Sequence, residues 1–360
     1  MDVDDYFESF STRDWDSGAT GTVRFAMVGL GWWTIDEAMP AIADSDRVEV
    51  TALVSGSTEK ADRVAAEFGV EHTLTYEQFH AGEAADAYDA VYVCTPNATH
   101  LEHVTAAAEL GKDVLCEKPM EASVDRAERL VAAAEDAGVT LMVAYRMHTE
   151  PAVRRMRELV ADGFVGDPLL VQGNFSQHIL ELVRDPDQWR LNPDFAGPGA
   201  SVTDIGIYPL NTARYVLDAD PVAVTAQMTS ESEGFEDVPD ERAAFTLTYE
   251  GGVQAAMTTS QNASRTGHLE LVGSEGHLRL EPAYYMADRR TLTVSRNEFE
   301  TRVAVPPADQ MREEFDYFAD CLLDGRDPYA DGDHGLVDMR AIEAVFEAAE
   351  SGRAVSVGRD

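Results

Sequence analysis

Lysine is nearly absent from this chain. Only Lys60, Lys112 and Lys118 occur among 360 residues, and 66 acidic residues against 28 Lys and Arg leave a formal net charge of −38. A surface this acidic repels phosphate backbones and anionic lipid headgroups, which argues against nucleic-acid binding and against polybasic membrane docking. Acidity with so little lysine is typical of a protein that stays hydrated in concentrated salt, and it predicts a halophilic source. Small-molecule chemistry becomes the default function.

Cysteine and long apolar runs are also scarce. Cys94, Cys116 and Cys321 are an odd number without paired spacing, which argues against a disulfide framework, and no His/Cys/Asp cluster has the spacing of metal ligands. No stretch approaches the ~18 consecutive apolar residues of a membrane helix. The N-terminus is acidic where a secretory signal needs positive charge. The composition therefore predicts a cytoplasmic globular protein of about two domains that uses no metal.

Short apolar runs alternate with periodic segments from Val23 onward. Strands are predicted at Val23–Val28, Val48–Val54, Ala90–Cys94, Val114–Cys116 and Leu141–Ala144. Helices are predicted between them, at 36–43, 59–68, 98–110 and 123–137. Near-continuous apolar strands with crossover helices indicate a parallel sheet that is covered on both faces. We therefore expect a doubly wound α/β (Rossmann) domain over residues 22–145, preceded by an N-terminal arm, residues 1–21.

The pattern changes after a helix predicted at 150–162. Alternating runs predict half-buried strands at Leu169–Gln177, Val222–Ser230, Ala243–Tyr249, Val253–Ser260, His268–Val272, His277–Leu280 and Thr291–Ser295. Hairpin signals such as Glu250-Gly251-Gly252 join them. Amphipathic helices predicted at 309–324 and 335–351 close the chain. Residues 146–360 are therefore predicted to form an α+β domain with a large, mostly antiparallel sheet.

The first predicted strand runs into a Gly-x-Gly turn. Gly29 and Gly31 allow a tight turn and close approach of the backbone, and Trp32 and Trp33 follow where a helix begins. Pyrophosphate binds at this place in dinucleotide folds, because the N-terminus of the helix faces the anion. Thr34 stands at the position of the usual third glycine, which predicts slightly wider packing of helix and strand. The place of the turn favours a dinucleotide site over a plain strand-to-helix turn.

The end of the second predicted strand carries hydroxyl groups in place of a carboxylate. NAD enzymes usually have Asp or Glu there to bind the ribose hydroxyls. This chain has Ser55, Gly56 and Ser57 instead, with Lys60 in the helix that follows. Two hydroxyls and an ammonium suit a 2′-phosphate, so the sequence favours NADP over NAD. The alternative is that Lys60 is an ordinary surface residue of its helix.

Two loops follow later strands of the same predicted sheet. One carries Thr95, Pro96, Asn97 and His100, and the other carries Glu117-Lys118-Pro119. Ligand crevices in open α/β sheets lie at the carboxyl ends of the strands, so we expect these polar groups to converge on a nicotinamide. His100 has an alternative role as a cap of the helix that starts beside it.

These loops resemble the Gfo/Idh/MocA oxidoreductase family. The resemblance rests on the Gly29 turn, on Thr95-Pro96-Asn97 and on Glu117-Lys118-Pro119, followed by an antiparallel C-terminal domain, and it covers roughly residues 22–355. The segments Tyr145–Pro151, Trp189–Pro193 and Asp204–Tyr208 are similar to the glucose-fructose oxidoreductase branch and its aldose-dehydrogenase relatives.

The resemblance implies roles for residues outside the glycine turn. The implied catalytic group is Lys118, Asp204 and Tyr208; the implied cofactor contacts are Arg146, Trp189 and Arg190; the candidates for a sugar pocket are His148, Asn174 and Phe175. NADP-using relatives often carry Arg at the position of Gly56, and this chain does not, which weakens the case for tight 2′-phosphate selection. The resemblance also implies a homodimer or homotetramer that pairs through the C-terminal sheet.

The chemistry of the implied catalytic group is consistent with oxidation of a sugar at its anomeric carbon. That reaction needs a base for the C1 hydroxyl proton while C1 gives a hydride to nicotinamide. A phenol is poorly ionised at neutral pH, so the Lys118 ammonium near Tyr208 would make it an effective base. Asp204 and Tyr208 lie on one face if their segment is helical. Either Lys118 or Tyr208 takes the proton.

The resemblance, together with this chemistry, implies an NADP-dependent enzyme that oxidises an aldose, first of all D-xylose, at C1 to the aldonolactone. One alternative is a sugar-to-sugar hydride shuttle of the glucose-fructose oxidoreductase kind, which keeps its NADP bound. Another is a sugar or dinucleotide sensor without turnover on the same fold, against which the presence of Lys118, Asp204 and Tyr208 argues.

Overall fold

A computed structural model describes residues 11–185, 187–286, 288–305 and 307–358. A parallel sheet of six strands fills the first part of the chain, in the spatial order β3-β2-β1-β4-β5-β6. Its strands are β1 Val23–Val28, β2 Val48–Val54, β3 His72–Leu74, β4 Ala90–Val93, β5 Asp113–Glu117 and β6 Leu141–Ala144. The order reverses between β1 and β4, which makes the crevice at their carboxyl ends the natural ligand site.

Helices connect these parallel strands. After β1 the chain forms a π-helical turn, Trp33–Ala38, which continues into an α-helix, Met39–Ala43. The other crossover helices are Thr58–Phe68, Tyr76–His80, His100–Glu109 and Val124–Ala137. The longer ones begin at side-chain caps, because Ser57 and Ser123 accept hydrogen bonds from the amides of Lys60 and Arg126.

A second sheet of nine strands occupies the rest of the chain, in the order β14-β13-β12-β11-β7-β10-β9-β8-β15. Its strands are β7 Pro168–His178, β8 Pro221–Thr229, β9 Arg242–Tyr249, β10 Gln254–Ser260, β11 Asn262–Gly273, β12 Gly276–Glu281, β13 Arg290–Arg296, β14 Phe299–Val305 and β15 Val355–Ser356. All neighbours pair antiparallel except β7 and β10, which run parallel. The predicted α/β fold class, with a Rossmann sheet and a large, mostly antiparallel sheet, is confirmed.

Helices cover one face of the second sheet. They are Pro151–Ala161, Ile207–Leu217 and Gly332–Ser351. Two shorter helices are Ile179–Leu182, directly after β7, and Pro193–Ala196, which contacts the 3-10 turn Asn97–Thr99. A further helix, Gln310–Asp324, packs against the Rossmann sheet, where Phe315 meets Phe25 and Tyr92 edge-on with ring centroids 5.4 and 4.9 Å apart. One continuous core therefore runs through both sheets.

The described part of the N-terminal arm, residues 11–21, packs against the helix Gln310–Asp324. Trp15 is buried and meets Tyr317 edge-on at 5.7 Å. Ser17 donates its hydroxyl to the Asp320 carboxylate at 3.0 Å, and Arg13 pairs with Glu313 at 2.6 Å. Residues 1–10 of the predicted arm lie outside the described residues.

Candidate active site

The glycine turn after β1 leaves room for a phosphate group. Gly29 has a φ of +95°, and a Cβ there would lie 2.2 Å from the carbonyl oxygen of Cys94, so only glycine fits. A Cβ on Gly31 would meet nothing within 4 Å, which leaves an open cradle at the start of the helix. The buried Thr34 donates its hydroxyl to the carbonyl of Gly29 at 2.7 Å. Thr34 thus closes the turn that a third glycine usually helps to form.

A cleft of about 420 Å³ extends from this turn. It is lined by Gly29, Leu30, Gly31, Trp32, Trp33, Ser55, Gly56, Ser57, Lys60, Tyr76, Cys94, Thr95, Pro96, Trp189 and Arg190. Lys60 reaches across it, and its Nζ donates to the carbonyl of Leu30 at 3.3 Å. Among the described residues that line the cleft none is Asp or Glu. An open glycine cradle beside hydroxyls and cations fits a dinucleotide with a 2′-phosphate.

Tyr76 is a member of this cleft that the sequence analysis missed. It begins a short helix capped by Thr75, and its ring lies over His103 with centroids 4.7 Å apart. Nothing in the motif spacing marks it, because β3 brings it beside Gly56 from a separate part of the chain.

A second, deeper cavity of about 540 Å³ adjoins the cleft. The two share Trp32, Trp33, Cys94, Thr95, Trp189 and Arg190 in their walls. The deeper cavity is also lined by Asn97, Glu117, Lys118, Arg146, Phe175, Asp204 and Tyr208. The residues implied as catalytic therefore meet in one place, next to the cofactor cleft.

Lys118 and Asp204 form an ion pair between the two halves of the molecule. The Lys118 Nζ lies 2.9 Å from the backbone oxygen of Asp204 and 3.1 Å from its Oδ1. Burial acts to lower the pKa of Lys118, but Tyr208 and Asp204 outweigh it and raise the pKa overall. Burial likewise acts to raise the pKa of Asp204, and the cations of Lys118 and Arg190 outweigh it and lower the pKa. Both groups are therefore charged at neutral pH.

A π-helical segment, Val202–Gly206, aims Asp204 at Lys118. Asp240 accepts hydrogen bonds from the amides of Ala200 and Val202, both at 2.7 Å, and so fixes the entry to this segment. Gln261, between β10 and β11, donates to Asp204 Oδ2 at 2.7 Å. The sequence analysis missed Gln261, which lies 57 residues from Asp204 and has no motif around it.

Tyr208 stands between two cations. The helix Ile207–Leu217 begins at the end of the π-helical segment, so Asp204 and Tyr208 both face the cavity. Arg146 Nε donates to the Tyr208 hydroxyl at 3.0 Å, and the guanidinium carbon lies 4.6 Å from the ring centroid. Lys118 Nζ lies 4.9 Å from the same centroid. Phe175 packs edge-on against the ring at 5.3 Å.

Glu117 lines the 540 Å³ cavity. Its Oε1 accepts from the Tyr92 hydroxyl at 2.7 Å and from the indole of Trp33 at 3.2 Å. Glu314 is buried behind it with neither carboxyl oxygen hydrogen-bonded. Burial raises the pKa of Glu314 well above its usual range, and the negative charge of Glu117 adds to the rise. Glu314 therefore lies beside the catalytic cluster as a buried carboxyl group whose protonated form is favoured.

Three of the residues expected in the site lie elsewhere. His100 is buried under the loops, with its ring nitrogens 2.9 Å from the carbonyl oxygen of Thr95 and 3.2 Å from that of Met120. It is the first residue of its helix and holds the two loops together, so it lies outside the cofactor cleft.

His148 and Asn174 are also outside the cavity. His148 stacks on Tyr215 with centroids 4.2 Å apart, and its Nε2 lies 2.7 Å from the Asn211 side chain. It is buried in a polar core because it lies two residues beyond Arg146 on a 3-10 turn and faces away. Asn174 donates to the Thr258 hydroxyl at 2.9 Å within the sheet. Of the three sugar-pocket candidates, the cavity wall includes Phe175 alone.

The outer wall of the cavity comes from a segment that the sequence analysis did not assign. It comprises Gln177, His178, Ile179, Glu181, Leu182 and Val183, with Arg265 and Met286 opposite. These residues mix apolar and polar side chains without a recognisable motif.

In the part of the chain that the structure describes, no group of three His, Cys, Asp or Glu side chains is placed to hold a metal ion. Within the same residues, no helix combines the length and the apolar character needed to cross a membrane.

Two family models match the sequence. The oxidoreductase family with an NAD-binding Rossmann fold (Gfo/Idh/MocA) matches residues 23–145, and the GFO/IDH/MocA C-terminal domain matches residues 153–279. Both matches fall on the two sheets described above.

The sequence is similar to characterised dehydrogenases. It is 54% identical to the D-xylose 1-dehydrogenase [NADP(+)] of Haloarcula marismortui, with 98% of each chain covered. It is 33% identical to the D-xylose 1-dehydrogenase (NADP(+)) 2 of Haloferax volcanii, over 93% of this chain and all of that one. The crystal structure of the aldose-aldose oxidoreductase from Caulobacter crescentus in complex with glycerol superposes with a TM-score of 0.87, at 32% identity, covering 93% of this chain and all of that chain.

Proposed function

The chain belongs to the Gfo/Idh/MocA oxidoreductase family, and from this premise we propose that it oxidises an aldose at C1 to the aldonolactone with NADP as hydride acceptor. D-xylose is the first candidate substrate, because the 54% identical relative from Haloarcula marismortui is a D-xylose 1-dehydrogenase that uses NADP. The pentose ring would occupy the 540 Å³ cavity beside the cofactor cleft.

The ion pair of Lys118 and Asp204 beside Tyr208 is the observation that carries this proposal. It places a fixed ammonium 4.9 Å from the phenol ring, in the wall of a cavity that shares six residues with the dinucleotide cleft. The raised pKa of Lys118 keeps that ammonium charged. We therefore propose Tyr208 as the base and Lys118 as a supporting charge; the sequence leaves both open as the base.

The proposed proton transfer involves few groups of this chain. The C1 hydroxyl of the sugar gives its proton to the Tyr208 phenolate, and the C1–H bond breaks as its electron pair leaves with the hydride. NADP, when bound, supplies the carbon that accepts this hydride. The C1–O bond becomes the lactone carbonyl, Tyr208 becomes neutral, and its proton later passes to solvent. Lys118 and Asp204 keep their charges throughout and orient the hydroxyl.

We assign the cofactor to the cleft that begins at the glycine turn. Gly29 and Gly31 would hold the pyrophosphate, and Ser55, Ser57 and Lys60 the 2′-phosphate. Thr95, Pro96, Asn97, Glu117, Trp189 and Arg190 would contact the nicotinamide half. Trp189 and Arg190 stack on each other at 4.5 Å, which gives a flat wall for a ring. Phe175 stays a candidate for the sugar pocket.

A direct assay tests this function. The purified chain, in molar salt, is supplied with NADP or NAD and with D-xylose, L-arabinose, D-ribose, D-glucose or myo-inositol, and reduced nicotinamide is followed by absorbance. Steady formation of NADPH with a pentose is the expected outcome. Absence of turnover with every sugar contradicts the proposal.

A sugar-to-sugar hydride shuttle is the second candidate, favoured by the likeness to the aldose-aldose oxidoreductase structure. It predicts that NADP stays with the protein through purification and that lactone forms only when a second sugar accepts the hydride. The homodimer or homotetramer and the cytoplasmic location expected from the sequence stay predictions.

A further inference from the structure

Arg146 is buried in the catalytic cavity without a carboxylate partner. Its Nε donates to the Tyr208 hydroxyl at 3.0 Å. Its two remaining nitrogens donate to the side-chain oxygen of Gln310 and to the backbone carbonyl of Tyr284. Both of those acceptors are neutral. Among the described residues, no acidic side chain forms an ion pair with Arg146.

A buried guanidinium costs free energy unless a negative charge lies near it. The nearest acidic side chain in the same network, Glu150, is separated from Arg146 by Gln310, whose amide donates to Glu150. Glu150 also faces Arg290 at 3.4 Å, so its charge is already paired. Glu314 accepts no hydrogen bond from Arg146 at either carboxyl oxygen, and burial raises its pKa. Of the described groups to which Arg146 donates a hydrogen bond, only the Tyr208 oxygen can become an anion.

We infer that Arg146 is a positioning residue that stabilises the phenolate of Tyr208 during sugar oxidation, and that Gln310 holds it there. This role rests on the proposed function and adds a group that the sequence analysis had placed on the cofactor. Arginine suits the task because its guanidinium does not release a proton and so does not compete for the proton of the substrate. Lys118 acts on the ring from a second direction, 4.9 Å from its centroid.

Other charged or titratable groups line the same cavity and bear on any pH profile. They are Glu37, Cys94, Glu117, Lys118, His178, Glu181, Arg190, Asp204, Arg265, Tyr284 and Tyr285. Two cations, Lys118 and Arg146, lie over the Tyr208 ring. Of these two, Arg146 is the one that donates a hydrogen bond to the Tyr208 hydroxyl. Removing it should therefore move the ionisation of Tyr208 more than removing a more distant charge would.

The test is the pH profile of kcat/KM for the best aldose, measured from about pH 6 to about pH 10. In the unaltered enzyme the rate rises with pH to a plateau as the base ionises. In Arg146→Gln the rising limb of the profile should move to higher pH by about one to two units, as expected when an opposite charge at contact distance is lost. The rate should fall about 10- to 100-fold near pH 7 and recover at high pH. Arg146→Lys, which keeps a cation, should lie between the two.

A merely structural role predicts a different profile. The rate would then fall by the same factor at every pH, and the midpoint of the limb would not move. That outcome for Arg146→Gln, with a folded protein by circular dichroism, overturns the inference.

Arg157→Gln provides a matched control. Arg157 lies over the rings of Tyr215 and Tyr329 at 4.6 and 4.5 Å, the same stacking that Arg146 makes with Tyr208, but outside the catalytic cavity. Its loss should leave the midpoint of the limb in place. If Arg157→Gln moves the limb as far as Arg146→Gln does, the shift comes from general loss of positive charge and the inference is wrong.

A second variant covers the case in which Arg146→Gln does not fold. Gln310→Leu removes the amide that holds Arg146 and keeps the guanidinium itself. It should move the limb in the same direction by a smaller amount. An unmoved limb in a folded Gln310→Leu protein removes Gln310 from the role.

The ionisation of Tyr208 can also be followed without turnover. The absorbance of tyrosinate is measured against pH in the protein with Arg146 and in Arg146→Gln, each with and without Tyr208→Phe. The difference that Tyr208→Phe makes isolates the ionisation of Tyr208. The Arg146→Gln background should show a higher titration midpoint than the background with Arg146. This measurement separates the two failures, because an enzyme that oxidises no aldose contradicts the proposed function while an unshifted titration contradicts the role of Arg146.

Discussion

Lys118 donates to both the backbone oxygen and the carboxylate of Asp204, at 2.9 and 3.1 Å. The lysine comes from the loop after β5 and the aspartate from the π-helical segment of the second half. One side chain therefore ties the dinucleotide-binding half to the wall of the sugar cavity. A chain with three lysines uses one of them at this junction.

Replacement of Lys118 by alanine should abolish most of the turnover. Loss of the ammonium leaves Asp204 and Tyr208 without their common cation, so we expect kcat to fall by on the order of a hundredfold or more. NADP binding, measured by fluorescence titration, should change little. Lys112→Ala is the control, because Lys112 lies over Tyr88, away from both cavities. Near-normal turnover in Lys118→Ala removes Lys118 from the mechanism.

A carboxylate at position 55 should change the cofactor preference. Ser55 is buried at the end of β2, and its hydroxyl accepts the amide of Ser57 in the wall of the cofactor cleft. Ser55→Asp should repel a 2′-phosphate and move the ratio of kcat/KM values from NADP towards NAD. Asparagine has nearly the same shape as aspartate but no charge, so Ser55→Asn should shift this ratio much less. An unchanged ratio in Ser55→Asp places the phosphate elsewhere.

His103 should make the protein less stable in mild acid. Burial lowers the pKa of His103 to about 3, and the neighbouring His80 adds to the effect. The unfolded chain takes up this proton near pH 6.5 and the folded protein does not, so stability is lost as the pH falls below about 6.5. The slope for one such group is about 1.4 kcal/mol per pH unit.

Denaturant unfolding at several pH values between about 7.5 and 5 checks this dependence. His103→Gln should flatten the fall in the free energy of unfolding, by about 2 kcal/mol over the range. Other titrating groups are common to both proteins and cancel in the comparison. Parallel curves for the two proteins would contradict the assignment to His103.

High salt should stabilise the folded chain. The net charge of −38 repels itself in the compact state, and the screening length falls from about 10 Å at 0.1 M to about 3 Å at 1 M salt. The free energy of unfolding should therefore rise with potassium chloride. An uncharged osmolyte at equal osmolality should give a smaller rise. Equal effects of the two would point to exclusion of solute from the surface as the cause.

The described part of the arm should contribute to stability through Trp15. Its ring is 6% exposed against Tyr317, and the carbonyl of Trp15 accepts from Arg326 at 2.9 Å. Trp15→Ala should lower the free energy of unfolding by about 3 kcal/mol, the usual cost of emptying such a site. Trp32 is 46% exposed, so Trp32→Ala should cost much less. Equal losses in the two variants would mean that the arm does not hold Trp15 in solution.

The strands of the Rossmann sheet were mostly predictable because their apolar runs are long. β1, β2 and β6 begin and end at the predicted residues. β3 was missed, since three residues are too few to show a pattern.

In the second half, β14 was missed because charged residues alternate along an exposed edge strand. Pro209 conceals the helix Ile207–Leu217 in the sequence, although proline is tolerated in a first turn.

The site was predictable where a motif has a fixed place in the fold. The Gly29 turn and Lys118 are of this kind, since both follow parallel strands. Contacts between distant segments were not predictable, such as the bond from Arg146 to Tyr208. Burial was not visible either, and the structure buries His100 and His148 away from the walls of the cleft and the cavity. Arg146 and His148 lie on one short turn but meet different neighbours, Tyr208 and Asn211. Packing alone decides which neighbour each side chain meets.

The edge-on packing of Phe315 against Phe25 and Tyr92 bears on how the chain is made. A ribosome delivers β1 and β4 long before the helix Gln310–Asp324 that covers them. The nascent first half must keep that apolar face shielded until the chain has emerged as far as residue 324. A fragment cut after residue 145 would expose the same face, so such a fragment should aggregate rather than serve as a free-standing nucleotide-binding module.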